Sequence, residues 1–167
     1  MKNNDENFHE EALDHLDVLK KFRVVMRAAQ RHSAWIDKQC GVNGAQLWVM
    51  QELSETPNMR VGEIANRLAI HQTTTSNLIE ILNKRGYIVK SLDPDDKRAT
   101  RLSLSEAGMA LLERAPKPAR GLLPQAVRQL DASQLSQLDA GLQALLNRMD
   151  AIDDGYALEP LPFNMAE

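Results

Sequence analysis

The chain has 167 residues, of which 43% are hydrophobic and 26% are charged. That length suits one domain with an ordinary core, and that composition lies well outside the range of disordered chains. A membrane helix needs about 18 consecutive apolar residues, and a secretory signal starts basic and then turns apolar. Neither pattern occurs, and residues 1–11 are polar and acidic. We therefore predict one cytoplasmic domain over residues 1–167, without a membrane partner.

The charge of the chain is unevenly distributed. Its net charge is −3, yet between Arg60 and Arg101 eight basic residues face only five acidic ones. A basic centre in an acidic frame suits a protein that presents one face to a polyanion. The negative total argues against a protein that coats nucleic acid indiscriminately, because such affinity comes from neutralising phosphates.

Long amphipathic helices are predicted at both ends of the chain. Apolar or small residues recur at steps of three and four, in the N-terminal segment at Leu19, Phe22, Met26, Ala29, Ser33, Ile36 and Cys40 and in the C-terminal segment at Leu135, Leu138, Leu142, Leu145, Met149 and Ile152. The middle of the chain is too small to cover both stripes. We therefore predict a homodimer with dimerisation helices in residues 11–41 and 109–152; the alternative is a helical core within one chain.

Three shorter helices are predicted in the middle. Residues 42–53 form the first, with Leu47, Met50 and Leu53 inward, before a polar run over residues 54–58. The second is short and has an apolar face at Val61, Ile64, Ala65 and Leu68. After a connection of about three residues, the third runs over residues 72–85 and stops at a C-terminal glycine, Gly86.

A β-hairpin follows, because the period of the pattern changes to two. Residues 88–92 alternate, residues 93–96 form a turn, and a second alternating run has Leu102 and Leu104 inward. Ser105 caps the next helix, which Pro116 and Pro118 bend or interrupt. The predicted fold is mainly α with a small β-hairpin wing (α+β), namely a winged helix-turn-helix lobe over residues 42–108.

The third helix of this lobe has an unusual outer face. Thr75, Leu78 and Leu82 point inward, with Ile79 and Ile81 flanking them. The opposite face consists of Gln72, Thr73, Ser76, Asn77, Glu80, Asn83 and Lys84. Short hydrogen-bonding side chains suit base edges and phosphates, whereas a merely solvated face is normally built from Glu, Lys and Arg. We therefore predict that this helix reads double-stranded DNA in the major groove.

The hairpin supplies a second predicted contact. Lys97, Arg98 and Arg101 lie at or just after its turn, from where a guanidinium reaches into a narrow minor groove. Asp96 is predicted to form a salt bridge with Arg98 and so to fix its direction. The predicted DNA-contacting set is Gln72, Thr73, Thr74, Ser76, Asn77, Lys84, Lys97, Arg98 and Arg101.

These motifs together resemble the MarR (multiple antibiotic resistance regulator) family. The resemblance covers residues 47–108 and is carried by Ile64-Ala65 through Leu68, Thr74 and Leu78, Leu82 to Gly86, the Asp96-Lys97-Arg98 turn and the exit Leu102 to Gly108. It implies a triangular homodimer with interleaved terminal helices, in which each recognition helix reads half of a pseudo-palindromic operator. Many members carry arginine at the position of Asn77, and this departure bears on the phosphate contacts and the base preference.

The resemblance also implies a repressor that is relieved by a small aromatic carboxylate or phenolic effector. Such a ligand would bind between the dimerisation helices and the DNA-binding lobe, where the chain offers as candidates Arg27, Arg31, His32, Trp35 and Trp48. The alternative is that the tryptophans belong to the core and the arginines to the surface.

Other functions have weaker support. Cys40, the single cysteine, suggests a redox-responsive regulator through an interchain disulfide, although a buried cysteine acting as a small hydrophobe is the favoured interpretation. A winged-helix module for protein interaction, without DNA readout, is a further alternative. The four histidines lack metal-ligand spacing, and nucleophile, phosphate-loop and cofactor signatures are missing. We therefore predict no enzyme, no metal and no cofactor.

Overall fold

The computed structural model describes residues 14–150 and 153–165. Its elements are α1 (His15–Cys40), α2 (Gly44–Glu55), α3 (Val61–Leu68), α4 (Gln72–Lys84), β1 (Ile88–Leu92), β2 (Thr100–Leu104), α5 (Glu106–Arg114), α6 (Leu122–Arg128), α7 (Ala132–Leu146) and the 3-10 helices Asp154–Leu158 and Pro162–Asn164. This order confirms the predicted fold class. In these two ranges no helix has the length and apolarity needed to cross a bilayer. Residues 11–13 and Ile152, included in the predicted terminal helices, lie outside the described residues.

Helix α2 forms the centre of the core. Asn43 caps it by a reciprocal pair of hydrogen bonds with Gln46, at 2.8 and 3.0 Å. Leu47, Met50 and Leu53 are fully buried, as predicted. The predicted end of α2 at Leu53 was two residues too early. The polar residues that follow tolerate helix, and the helix ends only at Thr56, whose extended backbone is the conformation favoured before Pro57.

Helices α3 and α4 form the helix-turn-helix. Ile64, Ala65 and Leu68 of α3 are buried, and Ala69 turns the chain with a φ of 53°. Gly86 adopts a φ of 76° after α4, which favours glycine. Its amide and that of Tyr87 donate to the carbonyls of Asn83 and Leu82, both at 2.9 Å. This paired C-terminal motif ends α4 where the sequence predicts it.

The hairpin is attached to the helix-turn-helix at its root. Strands β1 and β2 are antiparallel, with Ile88 opposite Leu104 and Lys90 opposite Leu102. The Leu102 amide also donates to the carbonyl of Met59, just before α3, at 2.9 Å. Leu102 is buried in the shared core. The orientation of the wing is therefore fixed relative to α3.

The peripheral helices leave apolar surface uncovered. Helix α1 buries only residues in its C-terminal half, from Ala29 onward, and α7 buries none of its residues within the chain. The stripe of α7 is more than a third exposed at Leu135, Leu138, Leu142 and Leu145. The helical region after α5 is interrupted between Arg114 and Leu122, around the two prolines, as expected. The uncovered stripes agree with the pattern that predicted dimerisation.

Candidate DNA-binding surface

The outer face of α4 has the composition that its winding predicts. Thr75, Leu78, Ile79 and Leu82 are buried, and the Thr75 hydroxyl donates to the carbonyl of His71 at 3.0 Å. The predicted contact residues Gln72, Thr73, Ser76, Asn77 and Lys84 are exposed, and Thr74 is half-buried. Ile81, predicted to flank the inner face, is 40% exposed, because it lies at the edge of the buried stripe. Uncharged hydrogen-bonding groups thus occupy the first two turns of α4.

The last turns of α4 are charged and are connected to the wing. The Glu80 carboxylate accepts a hydrogen bond from Lys90 Nζ of β1 at 2.9 Å and lies 3.7 Å from Lys84 Nζ. The hydrogen bond from Lys90 is the main cause of the lowered pKa of Glu80. Lys84 remains exposed, so its ammonium group can still approach a phosphate.

The tip of the wing presents two cations. Lys97 and Arg98 are exposed. The predicted salt bridge between Asp96 and Arg98 is wrong for this structure: in the described residues the two side chains form no ion pair. Instead Asp96 Oδ1 accepts from the backbone amide of Arg98 at 3.0 Å. An aspartate commonly bonds the amide two residues on in such a turn, and this contact leaves the guanidinium of Arg98 unpaired among those residues.

The root of the wing contains an ion cluster that the sequence analysis missed. Asp93 is only 1% exposed, and its Oδ2 lies 2.6 Å from both Arg60 Nη2 and Arg101 Nε. Its Oδ1 accepts from the amide of Asp95 at 2.9 Å. We call Asp93, Arg60 and Arg101 the wing clamp. It connects the start of α3 to both ends of the hairpin turn.

The wing clamp changes the assignment of Arg101. Arg101 was predicted to contact DNA. Its side chain is only 27% exposed, and besides binding Asp93 it donates to the carbonyl of Asn58 at 3.0 Å. The turn sequence suggests that Asp93 accepts from backbone amides, but it gives no sign of Arg60, which lies 33 residues earlier. The amide of Asp95 and the two guanidinium groups lower the pKa of Asp93 to about 2, so the clamp is ionic at neutral pH.

A second site lies beneath the lobe, between α2, α3 and α6. It is a cavity of about 570 Å³ lined by Trp48, Glu52, Glu55, Arg67, Arg120, Leu123, Pro124, Val127, Arg128 and Leu161. Glu52, 4% exposed, accepts from Trp48 Nε1 at 2.9 Å and Arg120 Nε at 2.7 Å, and Arg67 Nη1 lies 3.3 Å away. Arg120 also donates to Glu55 at 2.6 Å and so lowers the pKa of Glu55 to about 2.

The five residues predicted to bind an effector do not converge, and only Trp48 lines this cavity. Arg27 and Arg31 lie together on the outer face of α1, and Trp35 is 51% exposed. His32 is buried, but its Nε2 lies 3.0 Å from the carbonyl of Pro118. Their grouping at one effector site stays a prediction, because residue types alone do not show which face of α1 turns toward the lobe.

Three arginines line the cavity, Arg67, Arg120 and Arg128, and the first two contact Glu52. No sequence motif identifies them, because Arg120 lies 68 residues from the carboxylate of Glu52 that it contacts. The fold brings them together, because α2 packs against α3 and the segment before α6 returns to α2.

The environment of Cys40 favours the structural interpretation. Cys40 is 9% exposed at the end of α1 and packs in the core, and burial is the main cause of its raised pKa. A thiol with a raised pKa has little of the thiolate that disulfide chemistry requires. The redox alternative therefore gains no support from its surroundings.

Comparison with known proteins places these features in a family. Residues 42–100 match the sequence pattern of the MarR family. The chain is 28% identical to the transcriptional repressor MprA of Escherichia coli over 111 residues, which cover 66% of this chain and 63% of MprA. It therefore spans less than two thirds of that relative's length.

Two solved structures have the same fold. A probable transcriptional regulator from Pseudomonas aeruginosa is 32% identical, with a TM-score of 0.53 over 78% of this chain and 98% of that one. A MarR mutant from E. coli, crystallised with operator DNA, is 16% identical, with a TM-score of 0.52 over 80% and 99%. The fold and the exposed α4 define a winged helix-turn-helix protein. The chain belongs to the MarR family, which consists of transcription regulators and not of enzymes.

Proposed function

We propose that this protein is a sequence-specific, DNA-binding transcription regulator that acts as a homodimer in the cytoplasm. The observation that carries the proposal is the exposed, uncharged polar face of α4 beside the two exposed cations of the wing tip, Lys97 and Arg98. Gln72, Thr73, Thr74, Ser76 and Asn77 contact base edges and phosphates in the major groove. Lys97 and Arg98 enter the adjacent minor groove, and Lys84 contacts the backbone.

The proposed contact set differs from the predicted one at Arg101. Because its guanidinium binds Asp93 and the carbonyl of Asn58, we assign it to the support of the wing and not to DNA contact. The same reasoning gives Asp93 and Arg60 a supporting role. A side chain that acts through the wing affects DNA binding by moving Arg98, not by losing a phosphate contact of its own.

The homodimer is supported by the uncovered stripes of α1 and α7. Residues 11–41 and 109–152 supply the dimerisation helices and residues 42–108 the DNA-binding lobe. In such a dimer the two α4 helices lie about 34 Å apart, one turn of B-DNA, and read a pseudo-palindromic operator. One chain of the E. coli MarR mutant that was solved with operator DNA has the same fold as this chain.

We further propose repression that a small aromatic carboxylate or phenolic effector relieves. Support comes from relatives named as repressors and from the cavity beside α3. Two of its arginines, Arg67 and Arg120, are already paired with Glu52 and Glu55, so an anionic ligand that binds them would have to displace these carboxylates. That displacement would loosen the contact between α2 and the segment before α6 and so move the lobe.

The test begins with selection of a duplex from a randomised pool by the full-length protein. Fluorescence anisotropy then compares the selected duplex with a random one. The proposal expects tighter binding of the selected duplex, weakened about 5- to 200-fold by Asn77→Ala or Gln72→Ala, since one base contact is worth about 1–3 kcal/mol. Gln39→Ala, an exposed glutamine on α1, is the matched control. Equal binding of both duplexes would refute sequence-specific regulation and favour the protein-interaction module.

The effector is tested on the same complex. Benzoate and phenol serve as probes of the two chemical classes, and release of the selected duplex is expected from at least one of them. If neither benzoate nor phenol releases the duplex, and neither binds the DNA-free protein, the proposed class of effector is refuted.

A further inference from the structure

The segment after α7 folds back onto the DNA-binding lobe. Residues 153–165, which we call the strap, form the two 3-10 helices. At its end, the Ser33 hydroxyl of α1 donates to the carbonyl of Phe163, and Asn164 is buried against Gly44 of α2. Earlier in the strap, the carbonyl of Leu158 accepts from the amide of His71 at 2.9 Å. The strap thus contacts α1, α2 and His71, the residue immediately before α4.

The contact at His71 occupies a functionally sensitive place. His71 is the N-cap of α4, and its side chain makes no capping hydrogen bond. The first amides of a helix lack partners within the helix, so a carbonyl from the strap satisfies one of them. Met165, the last described residue of the strap, lines a crevice with Thr74 and Asn77. The strap therefore adjoins the end of α4 that carries the proposed base contacts.

We infer that the strap positions the N-terminal end of α4 relative to α1 and α2, and that operator affinity depends on this positioning. The inference rests on the proposed DNA-binding function. Specific binding requires two α4 helices at one separation and orientation, whereas non-specific binding tolerates many. Loosening the strap therefore weakens operator binding and leaves random-duplex binding nearly unchanged.

The strap also adjoins the cavity of the second site. Leu161 lines that cavity together with Trp48 and Pro124, and the same three residues line a neighbouring cavity of about 300 Å³. Leu161 lies three residues after Leu158, whose carbonyl holds His71. A displacement of Leu161 would therefore be transmitted to the start of α4 through the backbone of residues 158–161.

Gly44 allows the strap to be loosened without removing it. A Cβ on Gly44 would lie 2.9 Å from Asn164 Oδ1 and 3.2 Å from Ser33 Oγ, so Gly44→Ala forces the buried Asn164 side chain to shift. Alanine is a better helix former than glycine, so α2 itself is not weakened. The expected result is about 5- to 150-fold weaker binding of the selected duplex, the range of a typical coupling between sites. Binding of the random duplex should change less than twofold.

Two further variants serve as controls for Gly44→Ala. Gly44→Ala combined with Asn164→Ala removes the clash and keeps the hydrogen bonds of Ser33 and His71 to the strap, so it should restore most of the affinity. Ser33→Ala removes only the hydroxyl that holds Phe163, on a helix that favours alanine, and should weaken operator binding in the same direction by less. Circular dichroism confirms that each variant is folded.

Hydrogen exchange at the His71 amide tests the inference about the strap separately from the proposed DNA-binding function. In Gly44→Ala this exchange should accelerate whether or not the protein prefers its selected duplex. Unchanged exchange would show that Asn164 does not anchor the strap, and faster exchange with unchanged operator affinity would show that the strap does not position α4; either overturns the inference. If the wild type binds both duplexes equally, the proposed function fails first, and the inference about operator affinity fails with it.

Discussion

Asp93 shows how much one buried carboxylate contributes to this site. It is the shared acceptor of two arginines that come from different elements, and it also holds the turn of the hairpin. Removing its charge leaves both guanidinium groups short of a partner, which costs more than an intact pair contributes. The orientation of Arg98 at the wing tip therefore depends on a residue outside the proposed DNA-contacting set.

Asp93→Asn should lower the thermal midpoint at pH 7, and the difference from wild type should shrink in acid. The sign follows from the lowered pKa: the stabilisation by Asp93 is complete above its unfolded-state pKa, about 3.9, and disappears as the pH falls toward about 2. Thermal unfolding between pH 7 and pH 2 measures this. Asp95→Asn, two residues on and exposed, is the control. A constant difference at all pH values would contradict the ionic clamp.

Individual residues also show which contacts a sequence pattern can predict and which it cannot. The outer face of α4 was predictable, because inward and outward positions follow from local periodicity. The wing clamp and the Glu52–Arg120 pair were not, since their partners are separated by 33 and 68 residues and no spacing rule connects them. The effector set stays a prediction for the same reason: its aromatic and basic residue types are visible in the sequence, but their convergence is not.

Elements were predicted better than residues. The order of helices and strands follows from periodicity and from Gly86, whose position ends α4. Errors occurred at helix ends such as that of α2, where Pro57 and not the polar run stops the helix. The strap was not predicted, because the hydrogen bonds that hold it are made by backbone carbonyls and its few apolar residues follow no helical or strand period.

Gly108 tests how tightly α5 packs against the start of the wing. A Cβ there would lie 2.2 Å from the backbone carbonyl of Tyr87, which cannot rotate away. Gly108→Ala should therefore destabilise the protein by about 1–3 kcal/mol in urea unfolding, the usual cost of overpacking. Gly62→Ala, whose nearest contact would be at 3.8 Å, is the matched control and should be neutral or stabilising. Equal stability of the two variants would show that α5 shifts freely.

At the scale of the whole molecule, the proposed dimer would account for apolar surface that the single chain leaves uncovered. Leu138→Glu places a charge in the α7 stripe and should convert the dimer to a monomer in sedimentation analysis, with loss of operator binding. Ser136→Glu adds the same charge to the opposite face of α7 and should leave the dimer intact. A dimeric Leu138→Glu protein would place the interface elsewhere.

The uncovered α7 has a further consequence for how the protein works in a cell. An isolated helix of 15 residues is only marginally stable in water, so in the proposed dimer α7 would gain most of its stability when a second copy covers it. Folding of this region and assembly are then one equilibrium, and the thermal midpoint rises with protein concentration. At low copy number, operator occupancy grows with the square of the monomer concentration. A modest change in expression would then produce a steep change in repression.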